Sequence, residues 1–390
     1  MVVVGGGPAG SATALHLRRK GHDVVLVDEA RFPRDKVCGE AVSPGAWPLL
    51  EELGTGSLVR ALRPRPIAGM VLTSPGGTSF RGCYRDGQAG FSVRRDVLDL
   101  ALLGAAREAG VEVREGVRAA RLLEDGGRVC GVVIENGRGP EPLRARLVVG
   151  ADGRRSMVAR RLGLLREHRS LARFAVRGHW DGMQGLSGFG EMHVGAGGYC
   201  GVAPLPAGIG NVAFVLDRRD MGRAAGDLEG FYRRSLRRWP AVAERLEAAR
   251  LVAAPRAIGP LALVARRVSA PGALLVGDSA GFYDPFTGEG VTLALRSAGL
   301  AAFVADRALR SGRPADLTEY DRLRHAATRD KFRLNRLFQR IVAWPALSDA
   351  VARRLARRPD LADRLVGIAG DFVPARSAFA LGFLYDLVTG

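Results

Sequence analysis

The chain has 390 residues, 47% of them hydrophobic, which is enough for a large core and for two packed domains. Its formal net charge is +18, yet among 58 basic residues only Lys20, Lys36 and Lys331 are lysines, so arginine-rich coding in a GC-rich genome explains the excess first. No recognition motif and no aromatic-basic interleaving supports nucleic-acid binding.

No secretory segment is visible, because Met1 leads straight into "VVVGGG". The apolar run from Val291 to Ala305 is broken by Arg296 and is too short for a membrane span. Cys38, Cys83, Cys130 and Cys200 are far apart and form no CxxC pair; they read as reduced thiols of a cytoplasmic protein, with no metal site. The last three read as structural.

In chain order, residues 1–28 predict strand, glycine-rich turn, helix, strand. Gly21 stops the helix "SATALHLRRKG", and "DVVLV" is the unbroken apolar run of a buried parallel strand. A helix follows over 96–110 and leads into the strand "VEVRE". A β-meander is expected from 117 to 149, with turns at "EDGG" and "ENGRG". The strand "RLVVGADG" comes next. From 166 to 255, short strands spaced by Gly and Pro suggest an antiparallel sheet with one helix near 227–238. From 256 the chain returns to the α/β style, and 297–365 is mostly helical. The expected architecture is α/β (α+β). A discontinuous Rossmann-like domain (1–65, 91–165 and 256–312) carries an inserted antiparallel-sheet substrate domain (66–90 and 166–255), and a helical segment (313–390) ends the chain.

Arg322, Arg329, Arg333, Arg336 and Arg340 fall on one face of a helix at about 100° per residue. A solvated face is the expectation; an acidic membrane surface or a phosphate is the sharper alternative. The end, "SAFALGFLYDLVTG", is apolar apart from Asp386. Core packing is its expected fate, with a cavity cover or a peripheral membrane contact as alternatives.

Three motifs carry chemistry. "GGGPAG" places Gly5, Gly7 and Gly10 in G-x-G-x-x-G spacing, with Pro8 and Ala9 between the last two. Gly5 permits the tight turn, Gly7 the approach of a diphosphate, and Gly10 the packing of helix on strand. Free N–H groups at the helix start then face the phosphates. Asp28, followed by Glu29, ends the next strand 18 residues after Gly10, where a carboxylate accepts bonds from ribose hydroxyls. "GADGRRS" ends another strand in Asp152-Gly153. "LLVGDSAGFYDPFTGEGVTLAL" ends a strand in Gly277-Asp278 and opens a helix after Pro285, Gly288, Glu289 and Gly290. That helix start would face an electron-rich ring edge and favour negative charge on it.

These three motifs in this order resemble the FAD-dependent oxidoreductases of the p-hydroxybenzoate hydroxylase superfamily. The stretches "RFPRDKVCGEAVSPGA", "GADGRRSMVARRLG" and "GDSAGFYDPFTGEG" are most similar to the geranylgeranyl-reductase-like branch, over essentially the whole chain. The resemblance implies FAD as cofactor and NADPH or NADH as reductant. It implies that Gly5, Gly7, Gly10 and Asp28 bind the ADP half, that Arg94 or Arg95 contacts the cofactor, and that Asp278 holds the ribityl chain. The Pro285–Gly290 loop would lie on the flavin ring. Asp152 and Gly153 match a motif that serves FAD and the nicotinamide donor. Cys38 of "KVCGE" matches a cysteine near the flavin ring in the prenyl reductases, which makes it a candidate catalytic residue; a small packing residue is the alternative. Asp35 and Glu40 are expected in a solvated loop, with flanking the same pocket as Cys38 the alternative.

Departures from that branch bear on activity. Its Y-x-W-x-F-P stretch is "YCGVAP" here: Tyr199 and Pro204 remain as candidate substrate-pocket residues, but Gly201 and Ala203 replace bulky aromatics. The W-x-W-x-I-P signature of flavin halogenases is absent, and Lys36 is the one lysine placed to serve as theirs. The expected activity is therefore a monooxygenase acting on a lipophilic aromatic, polyketide or isoprenoid molecule. The alternative is an ene-reductase saturating isoprenoid double bonds, with Cys38 or water as proton donor. An alternative of another class is a flavin-free prenyl-lipid binding protein resembling Rab GDP-dissociation inhibitors. No His or carboxylate is assignable as a catalytic base.

Overall fold

The computed structural model describes residues 1–167, 172–195, 197–224 and 226–388. Its centre is a six-stranded sheet in the order 269–270, 273–275, 148–150, 2–4, 25–28 and 112–115. The last five strands run parallel, and Ser269–Ala270 adds an antiparallel edge. Val2–Val4, Leu26, Val27, Val148, Val149, Leu274 and Leu275 are buried, as expected of strands covered on both faces. Strand order reverses beside Val2–Val4. Gly5, Asp28, Ala151 and Gly277 thus stand together beyond the carboxyl ends, at the switch point where ligands of such sheets bind.

Helices α1 (Pro8–Arg19), α2 (Arg95–Glu108), α3 (Leu228–Leu236) and α4 (Gly290–Ser311) follow in chain order. α1 packs against α2 and α4. The expected meander is present as three antiparallel strands, 118–125, 128–135 and 140–144.

A second, eight-stranded sheet has the order 250–251, 173–181, 210–217, 198–204, 190–195, 69–73 and 79–83, with 256–258 also pairing to 173–181. It is antiparallel except that 190–195 runs parallel to 69–73, a pairing no local pattern announced. Period-2 alternation gives this sheet two unlike faces. Val176, Trp180, Cys200, Val202, Val212, Phe214 and Leu216 point to one side and pack under α3. There Phe214 stacks on Tyr232 and Trp239 at 5.4 and 5.7 Å. Arg177, His179, Tyr199, Gly201, Asn211 and Val215 point to the other side, toward the first sheet.

The chain ends in α5 (Glu319–Ala343), α6 (Pro345–Arg357), α7 (Pro359–Ala369) and α8 (Leu381–Val388). α7 lies on the strand Ser79–Cys83, where a Cβ at Gly82 would come within 2.6 Å of the Ala362 carbonyl. Glycine there is what lets the helix close on the sheet. Among the described residues no helix is long and apolar enough to cross a membrane.

Candidate functional site

Between the two sheets runs a single cavity of about 920 Å³. Gly5, Gly7, Pro8, Ala9, Asp28, Glu29, Arg95, Asp152, Gly153, Gly277, Asp278, Pro285, Gly288, Gly290, Cys38 and Tyr199 all line it. Residues spread over most of the sequence are thus brought to one space.

One end is built from backbone. Gly5 has φ +105°, and a Cβ there would lie 2.4 Å from the Ala151 carbonyl oxygen. A Cβ at Gly10 would lie 1.8 Å from the Gly5 oxygen, so Gly10 serves helix-strand packing and does not itself line the cavity. Asp28 accepts bonds from the Gly6 and Ala30 N–H groups at 2.6 and 2.8 Å, which fixes its carboxylate at the strand end. Asp152 caps the turn before Met157 at 2.6 Å, and its buried Oδ1 has no hydrogen-bond partner. Burial pushes this carboxyl up.

Cations converge on the same end. Lys36 Nζ stands beside Gly153. Burial pushes its ammonium down; Asp278 opposes this, and Arg95, Arg154 and Arg34 add to it. The buried Nη1 of Arg154 has no hydrogen-bond partner, and Arg34 Nη1 is 3.2 Å from Asp99 without hydrogen-bonding geometry. Unmatched donors, open glycine backbone and the N-terminus of α1 fit a diphosphate, and Asp28 fits the adenosine ribose. The FAD expected from the sequence fits this end. Lys36 belongs to it, with Gly153 and Asp278, and this placement gives no support to a halogenase-type role.

The middle of the cavity is formed by the 36–43 loop. Ala41 O lies 4.0 Å from the Cβ position of Gly288, and Ser43 Oγ meets Thr292 Oγ1 at 2.7 Å. Cys38 is half-buried here. Its sulfur accepts from the Glu40 N–H at 3.3 Å and is reached by the Arg95 guanidinium. Arg95 is itself clamped by Asp99 at 2.8 and 2.9 Å.

The structure corrects the solvated loop for Glu40, while Asp35 does stand exposed in it. Glu40 is 1% exposed and has φ +59°, a conformation L-residues adopt only when the surroundings demand it. Its carboxylate accepts from His179 Nε2 (2.6 Å), Asn211 Nδ2 (2.7 Å) and the Arg95 N–H (2.9 Å). Asn211 also donates to the Cys38 carbonyl at 2.9 Å. Arg177 lies 3.1 Å from His179 Nδ1. A guanidinium only donates, so Nδ1 accepts and Nε2–H donates to Glu40. Arg177 also pairs with Asp35. Desolvation opposes that pair, but Arg177 and Arg256 hold the Asp35 carboxyl below its usual range. His179, Asn211 and Arg177 went unrecognised in the sequence, because the register that aligns them with Glu40 is long-range.

The far end is apolar. Met70, Leu72, Met192, Val215, Ile258, Leu261, Phe286, Phe338, Leu365 and Val366 line it. Tyr199 packs edge-on against Phe286 at 5.0 Å, and its hydroxyl donates to Asp284. Burial, and then Asp284, hold this phenol well above its usual value, so Tyr199 offers the cavity a ring and no acid.

Three expectations are corrected. Arg94 is exposed and pairs with Asp96, so only Arg95 reaches the cavity. Pro204 is buried in strand pairing and does not line it, whereas Gly201 and Ala203 do. Glu289 lies behind the wall, where Lys331 Nζ is 3.4 Å away and also meets Asp371 at 3.1 Å and the Ile368 carbonyl at 2.7 Å. Burial pushes the Glu289 carboxyl up, with Lys331 opposing. This cluster fastens the Gly288–Gly290 loop to the C-terminal helices.

Residues 1–333 match the FAD binding domain family. The chain is 31% identical over 330 residues to a menaquinone reductase of Mycobacterium tuberculosis, covering 78% of this chain and 76% of that protein. It is 31% identical over 324 residues to digeranylgeranylglycerophospholipid reductase 1 of Methanopyrus kandleri, covering 79% and 80%. Its fold is like that of CmlS, a flavin-dependent halogenase, with TM-score 0.83 and 24% identity over 97% of this chain and 76% of that one. The chain therefore belongs to the FAD binding domain family as a FAD-dependent oxidoreductase.

Proposed function

We propose that the enzyme reduces a carbon-carbon double bond in a long apolar, isoprenoid-like substrate, with NADPH or NADH as the electron source. The observation that carries this reading is Cys38, a half-buried thiol on the cavity wall, in the loop packed against Gly288. When bound and reduced, FAD supplies a hydride. The apolar arm aligns the alkene and excludes water. Cys38 holds a proton at Sγ and gives it to one alkene carbon as the hydride reaches the other; water then restores the thiol. FAD held there would need two electrons per turnover, which the proposed nicotinamide donor would supply. Glu40 and Arg95 hold Cys38 in position. The reductases named for menaquinone and for a digeranylgeranyl lipid among the relatives support this choice.

A second reading, oxygen transfer to an aromatic or polyketide, is favoured by Gly201 and Ala203 on the cavity wall, where side chains too small to confine a slender chain leave a broader space. The flavin-free binding role does not suit a FAD-dependent enzyme. One experiment separates the first two. The bound flavin is reduced without air, a geranylgeranyl lipid is added, and the visible spectrum is followed. Reoxidation without oxygen and a product two hydrogens heavier are expected, with the rate at least about tenfold lower in Cys38→Ala. Reoxidation only after air is admitted, with a product one oxygen heavier, would move the conclusion to oxygen transfer.

A further inference from the structure

The five arginines expected on one helix face do lie exposed along α5: Arg322, Arg329, Arg333, Arg336 and Arg340. Asp330 answers Arg329 and Arg333 at 3.5 and 3.6 Å, and Glu319 answers Arg322 at 3.4 Å. Among the described residues no carboxylate lies within ion-pair distance of Arg336 or Arg340; Arg336 instead stands over the Tyr283 ring at 5.9 Å. The row then ends in an apolar step. Trp344, the C-cap of α5, is 69% exposed, and Leu347 in the first turn of α6 is 39% exposed. In α8, Leu381 and Tyr385 are 85% and 66% exposed, while Phe383 is buried, so the apolar end of the chain only partly enters the core.

Arginine heads beside exposed tryptophan, leucine and tyrosine are the composition of a surface that lies on a bilayer. We infer that the arginine face of α5, with Trp344 and Leu347, docks this enzyme on an anionic phospholipid surface. Charge complementarity chooses the occupant: the segment 313–390 holds 14 basic and 9 acidic residues, a net of +5, and Arg340 lies one helical turn before the exposed Trp344. The opposite face of α5 supplies the reason for docking. Phe338, about 200° around the helix from both Arg336 and Arg340, lines the cavity and packs on Phe286 at 5.7 Å. One helix therefore separates the apolar arm from the charged face. The inference extends the reading of an apolar substrate but is tested without turnover, so either can fail alone.

The test uses FAD-loaded protein and sedimentation with vesicles of phosphatidylcholine, with or without phosphatidylglycerol. Pelleting is expected only with the anionic vesicles, and it should weaken as salt rises. Arg336→Gln with Arg340→Gln should lower affinity about 25-fold, roughly fivefold per arginine. Trp344→Ser should lower it about tenfold. Retained flavin absorbance in each variant shows that the fold is kept. Equal binding to neutral vesicles, or none to either kind, would overturn the inference. So would loss in the arginine variant with full binding in Trp344→Ser, because that is simple polyanion attraction. A doubled mass in sedimentation velocity that Trp344→Ser abolishes, without vesicle binding, would assign the face to a second copy of the chain.

Discussion

The two ends of the cavity are built from different materials. The dinucleotide end is backbone: Gly5 and Gly10 have no room for a single carbon, and the carboxylates sit at strand ends where N–H groups hold them. The apolar end is side chains. A Cβ at Gly201 would meet Met192 at 3.6 Å, ordinary van der Waals contact. The difference explains how one family keeps a cofactor and changes its chemistry. Backbone geometry leaves no freedom, while a wall of Met, Leu, Val and Phe can be resized residue by residue.

The contrast can be broken or sharpened by substitution. The largest effect is expected for Gly10→Ala, whose new carbon would overlap the Gly5 oxygen. Loss of about 3 kcal/mol or more, with little flavin retained on purification, should appear in thermal unfolding and the visible spectrum. Glu40→Ala comes next: it leaves His179, Asn211 and the Arg95 N–H without their acceptor, at a cost of about 3 kcal/mol in denaturant unfolding. A thiol reagent should then reach Cys38 faster.

Lys36→Gln is expected to weaken FAD binding about tenfold in apoprotein titrations. Burial holds the free ammonium below the ordinary lysine value. A bound diphosphate favours the charged form, so binding takes up a proton, and affinity should fall as pH rises through that lowered range. Gln at this position should flatten the dependence; an unchanged slope would remove Lys36 from the site. Gly201→Ala should have the smallest effect, under about 1 kcal/mol in stability and none on FAD. It should raise KM for the widest substrates.

The dinucleotide end was legible because its parts are local. A glycine turn, a strand-end acid and "GDSAGFYDPFTGEG" each lie within a short stretch, and each implies its own backbone. Cys38 was legible as a candidate for the same reason. Glu40 was legible only as an alternative: a carboxylate in a polar loop looks solvated until Arg177, His179 and Asn211 arrive from strands more than 130 residues away. Pro204 was misplaced by one step of alternation, since Tyr199, Gly201 and Ala203 share the inner face and Pro204 belongs to the other. Arg94 and Arg95 could not be told apart before the start of α2 was fixed.

The central claim is that one continuous cavity holds FAD and an apolar chain end to end. Its most direct test is a titration of the oxidised holoenzyme with a geranylgeranyl lipid, read as a flavin difference spectrum, in the natural chain and in Ala203→Trp, which narrows the apolar arm without touching the dinucleotide end. A saturable shift of the flavin bands is expected in the natural chain and not in the variant, with FAD retained in both. No shift in either, or the same shift in both, would contradict a shared cavity.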